Sequence, residues 1–155
     1  MKKTILIFSF LALSFSCKAQ DRNTINSNEL TINGVNYLGV NISLLTQNLG
    51  QPFTIEDYYF EMDDVMSKKY NYKGILFYIV NNKVNSFEIT GSSYSFTNHN
   101  IKIGGNIETL KTIFPLSYKN VVKNGLTLPL SDIDEFIVIS YNDNLIIEKI
   151  ALYSY

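Results

Sequence analysis

The chain is poor in the residues that usually declare chemistry. Among its 155 residues there is one cysteine, Cys17, one histidine, His99, no tryptophan and only three prolines. A lone cysteine excludes a disulfide within the chain, so stability has to come from packing. A lone histidine excludes a multi-histidine metal centre. The longest largely apolar stretch, Ile5 to Phe15, falls short of the roughly 20 residues a membrane-spanning helix needs. Basic charge is also scarce once the leader is set aside.

That leader is "MKKTILIFSFLALSFSCKAQ". Lys2 and Lys3 precede the apolar run, and small and polar residues follow it, which is the pattern of an export signal. Two processing outcomes stay open. Cys17 and Ala19 form a small-x-small site, giving a signal peptide over 1–19 and a soluble product starting at Gln20. Alternatively the signal is 1–16 and Cys17 is lipidated, with a diacylated cysteine supplying the two-chain anchoring that one chain cannot. Residues 20–28 would then be a polar tether. The expected location is periplasmic or secreted, or anchored to a membrane through Cys17 alone.

Cutting before Gln20 leaves 136 residues, enough for one domain that buries about two-thirds of its unfolded surface. It also removes Lys2, Lys3 and Lys18, so 14 acidic residues face 10 basic ones. A nucleic-acid partner is excluded on that balance. A protein with a basic surface fits it better.

Tyrosine, phenylalanine and asparagine are abundant instead, and their placement outlines the fold. Leu30 and Ile32, then Asn33-Gly34, then Val35 and Tyr37 predict a hairpin with a type I′ turn. Asn41 is placed to cap a helix in which Ile42, Leu45 and Leu49 share a face, and Gly50 and Pro52 stop it. Asn106, Ile107, Leu110, Phe114 and Pro115 repeat that plan. After the first helix come the strand-like runs "IEDYYFEM", "GILFYIV" and "KVNSFEI". After the second come "LTLPL", "EFIVISY" and "IIEKIALYSY". The expectation is an α+β fold of two tandem repeats, 29–91 and 94–155. Each is a hairpin plus one short helix packed on an antiparallel sheet, the two forming one compact domain.

"NISLLTQNLGQP" with "GILFYIVNNKVNSFEI", and more loosely "NIETLKTIFP" with "EFIVISYNDNLIIEKIAL", resemble two families. These are the SmpA/OmlA-type outer-membrane assembly lipoproteins and the tandem-repeat β-lactamase inhibitor proteins, in which a short helix ending in Leu-Gly-x-Pro precedes a three-stranded sheet. The resemblance implies a non-enzymatic role in a bacterial envelope or outside the cell, with a sheet face binding another protein.

Other motifs have plainer explanations. "TNHN" around His99 reads as an exposed turn, with no nucleophile elbow near Ser92, Ser93 or Ser95. In "EDYYFEMDD", strand alternation sets Asp57, Tyr59 and Glu61 on one face and Tyr58, Phe60 and Met62 on the other. The carboxylates there form a solvated face and lack the spacing and central glycine of a calcium loop. Gly104-Gly105 enters a capped helix without the lysine of a phosphate loop. No catalytic residue, metal ligand or cofactor is therefore assigned. The function expected is an exported, non-catalytic protein-binding module, of inhibitor, immunity or envelope-assembly type. A glycan-binding module using exposed tyrosines is the alternative, and a carboxylate-dependent hydrolase a lesser one. Read as one strand, "YNYKGILFYIV" sets Ile75, Phe77 and Ile79 in one row and Tyr70, Tyr72, Leu76 and Tyr78 in the other. Tyr59 is the expected partner-binding anchor, with Tyr72, Tyr141 and Tyr153 behind it, while Leu76 and Tyr78 are expected to be buried.

Overall fold

The computed structural model describes residues 22–60 and 64–154. The signal segment, Cys17, and Glu61, Met62 and Asp63 lie outside the described residues. Strands β1 (Thr31–Ile32) and β2 (Val35–Asn36) form the expected hairpin, with Asn33 and Gly34 at φ +50° and +81°. Helix α1 (Ile42–Leu49) starts where Asn41 Oδ1 accepts the Ser43 N–H at 3.0 Å. It buries Leu45 completely and stops at Gly50, whose φ of +79° few other residues adopt.

Four strands then form a meander: β3 (Thr54–Phe60), β4 (Val65–Tyr72), β5 (Ile75–Val80) and β6 (Lys83–Ile89). In the second half a 3-10 turn (Ile107–Thr109) leads into α2 (Leu110–Ile113) and α3 (Pro115–Lys119). Strands β7 (Gly125–Pro129), β8 (Glu135–Tyr141) and β9 (Ile147–Ser154) follow. The two meanders meet edge to edge, β6 against β9, through Glu88 opposite Ala151 and Ile89 opposite Ile150. The result is one antiparallel sheet in the order β3-β4-β5-β6-β9-β8-β7.

This corrects the expected fold class. The chain is mostly β, a seven-stranded antiparallel sheet with a two-stranded one beside it and only short helices. It is not a pair of α+β repeats that each carry a hairpin and a helix on their own sheet. Two causes are visible. Ile89 and Ile150 are fully buried, so neither β6 nor β9 can remain an edge strand, and pairing them satisfies both backbones at once. The second helix motif also fails to copy the first. Pro115 has no N–H to continue α2, and its restricted φ suits the first position of a new helix, so it opens α3 where a simple stop was expected. Nor does the second half carry a hairpin of two strands at the expected place. Phe96 and Ile101 make an isolated bridge there.

A second correction concerns residues 70–80, read as one strand with Tyr70, Tyr72, Leu76 and Tyr78 on a common face. Lys73 and Gly74 turn the chain back, and the register sets Tyr70 opposite Phe77 and Tyr72 opposite Ile75. Both tyrosines therefore point into the core.

One core draws on both halves. Leu30, Ile32, Leu45, Phe77 and Phe87 from the first part meet Phe96, Ile107, Leu126, Leu128, Ile137 and Ile139 from the second, all 0–1% exposed. Burying each such side chain contributes about 1.5–3 kcal/mol. The segment expected as a tether is docked from Asn23 onward. Asn23 Oδ1 accepts the Leu116 and Ser117 N–H groups at 2.9 and 3.2 Å, and Ile25 is buried in a parallel bridge with Leu130.

Candidate functional site

Strand alternation gives the large sheet two unlike faces. Tyr70, Tyr72, Phe77, Phe87, Ile139 and Ile150 lie on the core face. Helices α1 to α3 and the β1-β2 hairpin pack there, through residues such as Ile42, Leu49, Ile113 and Tyr118. On the opposite face, among the described residues, no helix or loop forms a covering layer. Its side chains are half-buried mainly by one another.

They form a connected row across the strands. At the β3 end, Tyr58 and Phe60 meet edge to face at 4.9 Å, and both pack against Tyr78 of β5, with ring centroids 5.3 and 5.4 Å away. Lys69 of β4 sets its ammonium 4.0 Å from the Tyr58 ring centroid and 5.7 Å from that of Tyr78, within the range of cation-π attraction. The Tyr78 hydroxyl donates to Glu88 Oε1 at 3.0 Å. The other Glu88 oxygen is 4.0 Å from Lys149 Nζ of β9, across the seam between the two meanders. Lys149 in turn donates to the Tyr153 hydroxyl at 3.2 Å, and the Tyr153 ring stacks on Phe136 of β8 at 5.7 Å.

Small residues make this row possible. Ser67, Ser86 and Ala151 lie beneath the long side chains and are 3%, 5% and 0% exposed. The Ser67 hydroxyl is buried without a hydrogen-bond partner. Burial raises the Tyr78 phenol far above its usual range, and the neighbouring Glu88 carboxylate adds to the rise. Lys149 is also held above its ordinary value, chiefly by its hydrogen bond with Tyr153. At neutral pH Tyr78 is thus a neutral phenol and Lys149 a fixed cation. Such a row of rings and long side chains suits contact and orientation.

Of the residues singled out in the sequence, Tyr153 lies on this face. Tyr59 lies on the other, 46% exposed, with its hydroxyl donating to Asp64. Tyr72 is in the core at 6% exposure, its hydroxyl donating to the Gly50 carbonyl at 3.3 Å, so its ring offers no outer surface. Tyr141 is half-buried and packs against the core. Tyr78, expected to be buried, is a central member of the open row. Tyr58, Phe60, Lys69 and Phe136 are not among the binding residues the sequence suggested, although the alternation in "TIEDYYF" and "EFIVISY" already sets Tyr58, Phe60 and Phe136 opposite the core positions.

His99 is exposed and packs edge to face on Phe114 at 5.6 Å. Among the described residues no three of His, Cys, Asp and Glu are grouped to hold a metal ion, and no helix is long and apolar enough to cross a membrane.

No family model matches the chain, and no curated protein matches it. Among solved structures it is similar to a cysteine-rich secretory protein from Staphylococcus aureus, with 13% identity and a TM-score of 0.47 over 76% of this chain and 44% of that one. It is also similar to an extracellular protein containing an SCP domain from Bacillus anthracis, with 12% identity and a TM-score of 0.45 over 99% of this chain and 50% of that one. The chain spans about half the length of these proteins.

Proposed function

We propose that this chain is an exported, non-catalytic module of a bacterial envelope that binds a protein partner through the open face of its sheet. The single observation that carries the reading is the uncovered row running from Tyr58 to Phe136. Aromatic and long amphipathic side chains, pre-positioned by cross-strand contacts, are the groups enriched at binding hot spots. They also lose little rotamer freedom on binding, because their neighbours already hold them. Export rests on Lys2, Lys3 and the apolar run after them, and whether Cys17 is lipidated is a separate question that mass spectrometry of the mature N-terminus answers. Glycan binding through a bare aromatic platform is less favoured, since Lys69 sits over the Tyr58 ring and Phe60 and Tyr78 crowd its edge.

Site-specific photocrosslinking tests the proposal. A photoreactive phenylalanine at Tyr58 or Tyr153 should capture one protein from envelope extract, and the same group at Tyr118, on the helical side, should not. Sugar-dependent retention with no protein crosslinked at either position would sink the protein-binding reading in favour of the glycan one.

A further inference from the structure

The two edges of the large sheet are finished differently. Beside β7 the chain's own N-terminal segment is docked. The Ile25 N–H donates to the Pro129 carbonyl at 3.2 Å, the Ser131 N–H donates to the Ile25 carbonyl at 2.9 Å, and Pro129 itself lacks a donor. These are the devices by which a sheet edge is closed to strangers. At the other edge, β3 runs for seven residues without a proline, lysine or bulge, and no described strand lies beyond it. The side chains there are unusually apolar for an open edge. Ile55 and Tyr59 are 51% and 46% exposed, Met66 on the neighbouring strand is 61%, and Phe53, just ahead of β3, is 76%.

We infer that β3 is a strand-addition edge, taking an extended segment of a partner protein in which two adjacent basic residues are flanked by apolar ones. The inference rests on the protein-binding reading and adds to it the chemistry of the partner. The pattern follows from register. A strand laid against β3 meets Ile55 and Tyr59 on one side of the pleat and Tyr58 and Phe60 on the other, with Glu56 and Asp57 in the middle. Apolar or β-branched residues suit the first four positions, and cations suit the two carboxylates. Glu56 is exposed, and Asp57, although bonded to Lys68 at 2.8 Å, keeps a side chain 71% exposed. A second copy of this chain fits less well. Asp57 is the middle residue of β3, so an antiparallel self-pair centred there sets Asp57 against its own counterpart with both Glu56 side chains nearby, and like charges directly opposite destabilise a ladder.

The test uses a blocked peptide with a Lys-Arg pair flanked on both sides by valines, a peptide with Glu-Asp in place of that pair, and the mature protein. The basic peptide should bind by fluorescence anisotropy and slow amide exchange within 54–60. Glu56→Lys should weaken it about tenfold and improve binding of the acidic peptide, and Glu56→Gln, which sets no second cation opposite Lys69, should weaken the basic peptide without changing the unfolding midpoint. Binding that perturbs Tyr78 and Tyr153 but leaves 54–60 unprotected would overturn the edge assignment while the open-face reading stands. Absence of binding by the basic peptide would overturn it as well, as would a dimer in sedimentation that protects the same amides. Crosslinking at Tyr153, on β9 and away from this edge, remains the separate check on the open face.

Discussion

The Tyr78 hydroxyl reaches diagonally over the β5-β6 pair to donate to Glu88, whose direct cross-strand neighbour is Leu76. This contact, continued by Lys149 on β9, carries side-chain order on the open face across the seam between the two meanders. Tyr78→Phe keeps the ring packing with Tyr58 and Phe60 and removes only the hydroxyl. Loss of a hydrogen bond to a partly exposed carboxylate should lower stability by about 1 kcal/mol in urea unfolding. An unchanged midpoint would mean that water replaces the tyrosine without cost.

The same phenol governs behaviour in alkali. Burial raises the proton affinity of Tyr37, Tyr72, Tyr78, Tyr94 and Tyr141 in the native state, whereas the unfolded chain releases those protons near the ordinary value of 10.0. Above that pH the unfolded state binds fewer protons than the native one, so stability falls as pH rises. The stabilisation is fully present below 10.0 and is lost on passing through the raised native values. Unfolding midpoints followed from neutral pH to beyond 10 should drop steeply, and less steeply in Tyr78→Phe. A wild-type midpoint that stays level through that range would contradict the burial argument.

Gly74 and Gly91 touch backbone to backbone where the β4-β5 turn meets the loop after β6. A Cβ on Gly74 would lie 2.6 Å from the Gly91 Cα, and Gly74 sits at φ +81°. Thr90 and Gly91 both donate their N–H groups to the Gly74 carbonyl, at 2.9 and 2.8 Å, so the contact cannot open without losing two hydrogen bonds. Gly74→Ala should therefore cost about 2 kcal/mol or more, because clash and backbone strain act together. Gly34→Ala is the control, since Gly34 has the same φ with nothing within 4 Å, and it should cost about 1 kcal/mol. Equal losses in the two variants would show that the close approach relaxes freely.

Tyr72 and Tyr59 separate core from surface among the tyrosines the sequence offers. Tyr72→Ala empties a site packed against Phe77, where the rings meet edge to face at 5.9 Å, and should cost about 3–5 kcal/mol. Tyr59→Ala removes a ring that is half in solvent and should stay within about 0.5 kcal/mol of wild type. Thermal unfolding of the two variants checks both statements, and a large loss from Tyr59→Ala would mean that its hydrogen bond with Asp64 holds the β3-β4 hairpin.

These residues show what was legible in the chain. The Asn33-Gly34 turn, the Asn41 cap, the Gly50 stop and the three C-terminal strands follow from local rules, in which a residue and its immediate neighbours decide the geometry. The Lys73-Gly74 turn was hidden because apolar residues on both sides of it blend into one run, and missing it placed Tyr70 and Tyr72 on the wrong face. The continuous sheet could not be read locally at all. That β6 finds β9 depends on which strands share a core, and Ile89 and Ile150 are 61 positions apart along the sequence. The candidate face follows the same logic. Alternation assigns Tyr58, Phe60 and Phe136 to one side of their strands, but only the sheet order shows that this side belongs to a single uncovered surface.

Glu135 is the least comfortable charge among the described residues. It begins β8 on the core side, and its Oε2 is buried with no hydrogen-bond partner, beside Leu38, Val84 and Ile133. Burial raises its carboxyl above the ordinary value of 4.5. The native state thus favours the protonated acid, so the stabilisation linked to this group is fully present below 4.5 and is lost as pH rises through the raised native value. At neutral pH the ionised carboxylate is held in a site that disfavours it. Glu135→Gln removes the charge and keeps the shape, and it should match or exceed wild-type stability at neutral pH, with the difference closing as pH falls below 4.5. Urea midpoints of the two proteins across that range decide the matter. A glutamine variant less stable at neutral pH would show that the carboxylate is held by a cation, and Lys83, which lines the same depression, is the one within the site.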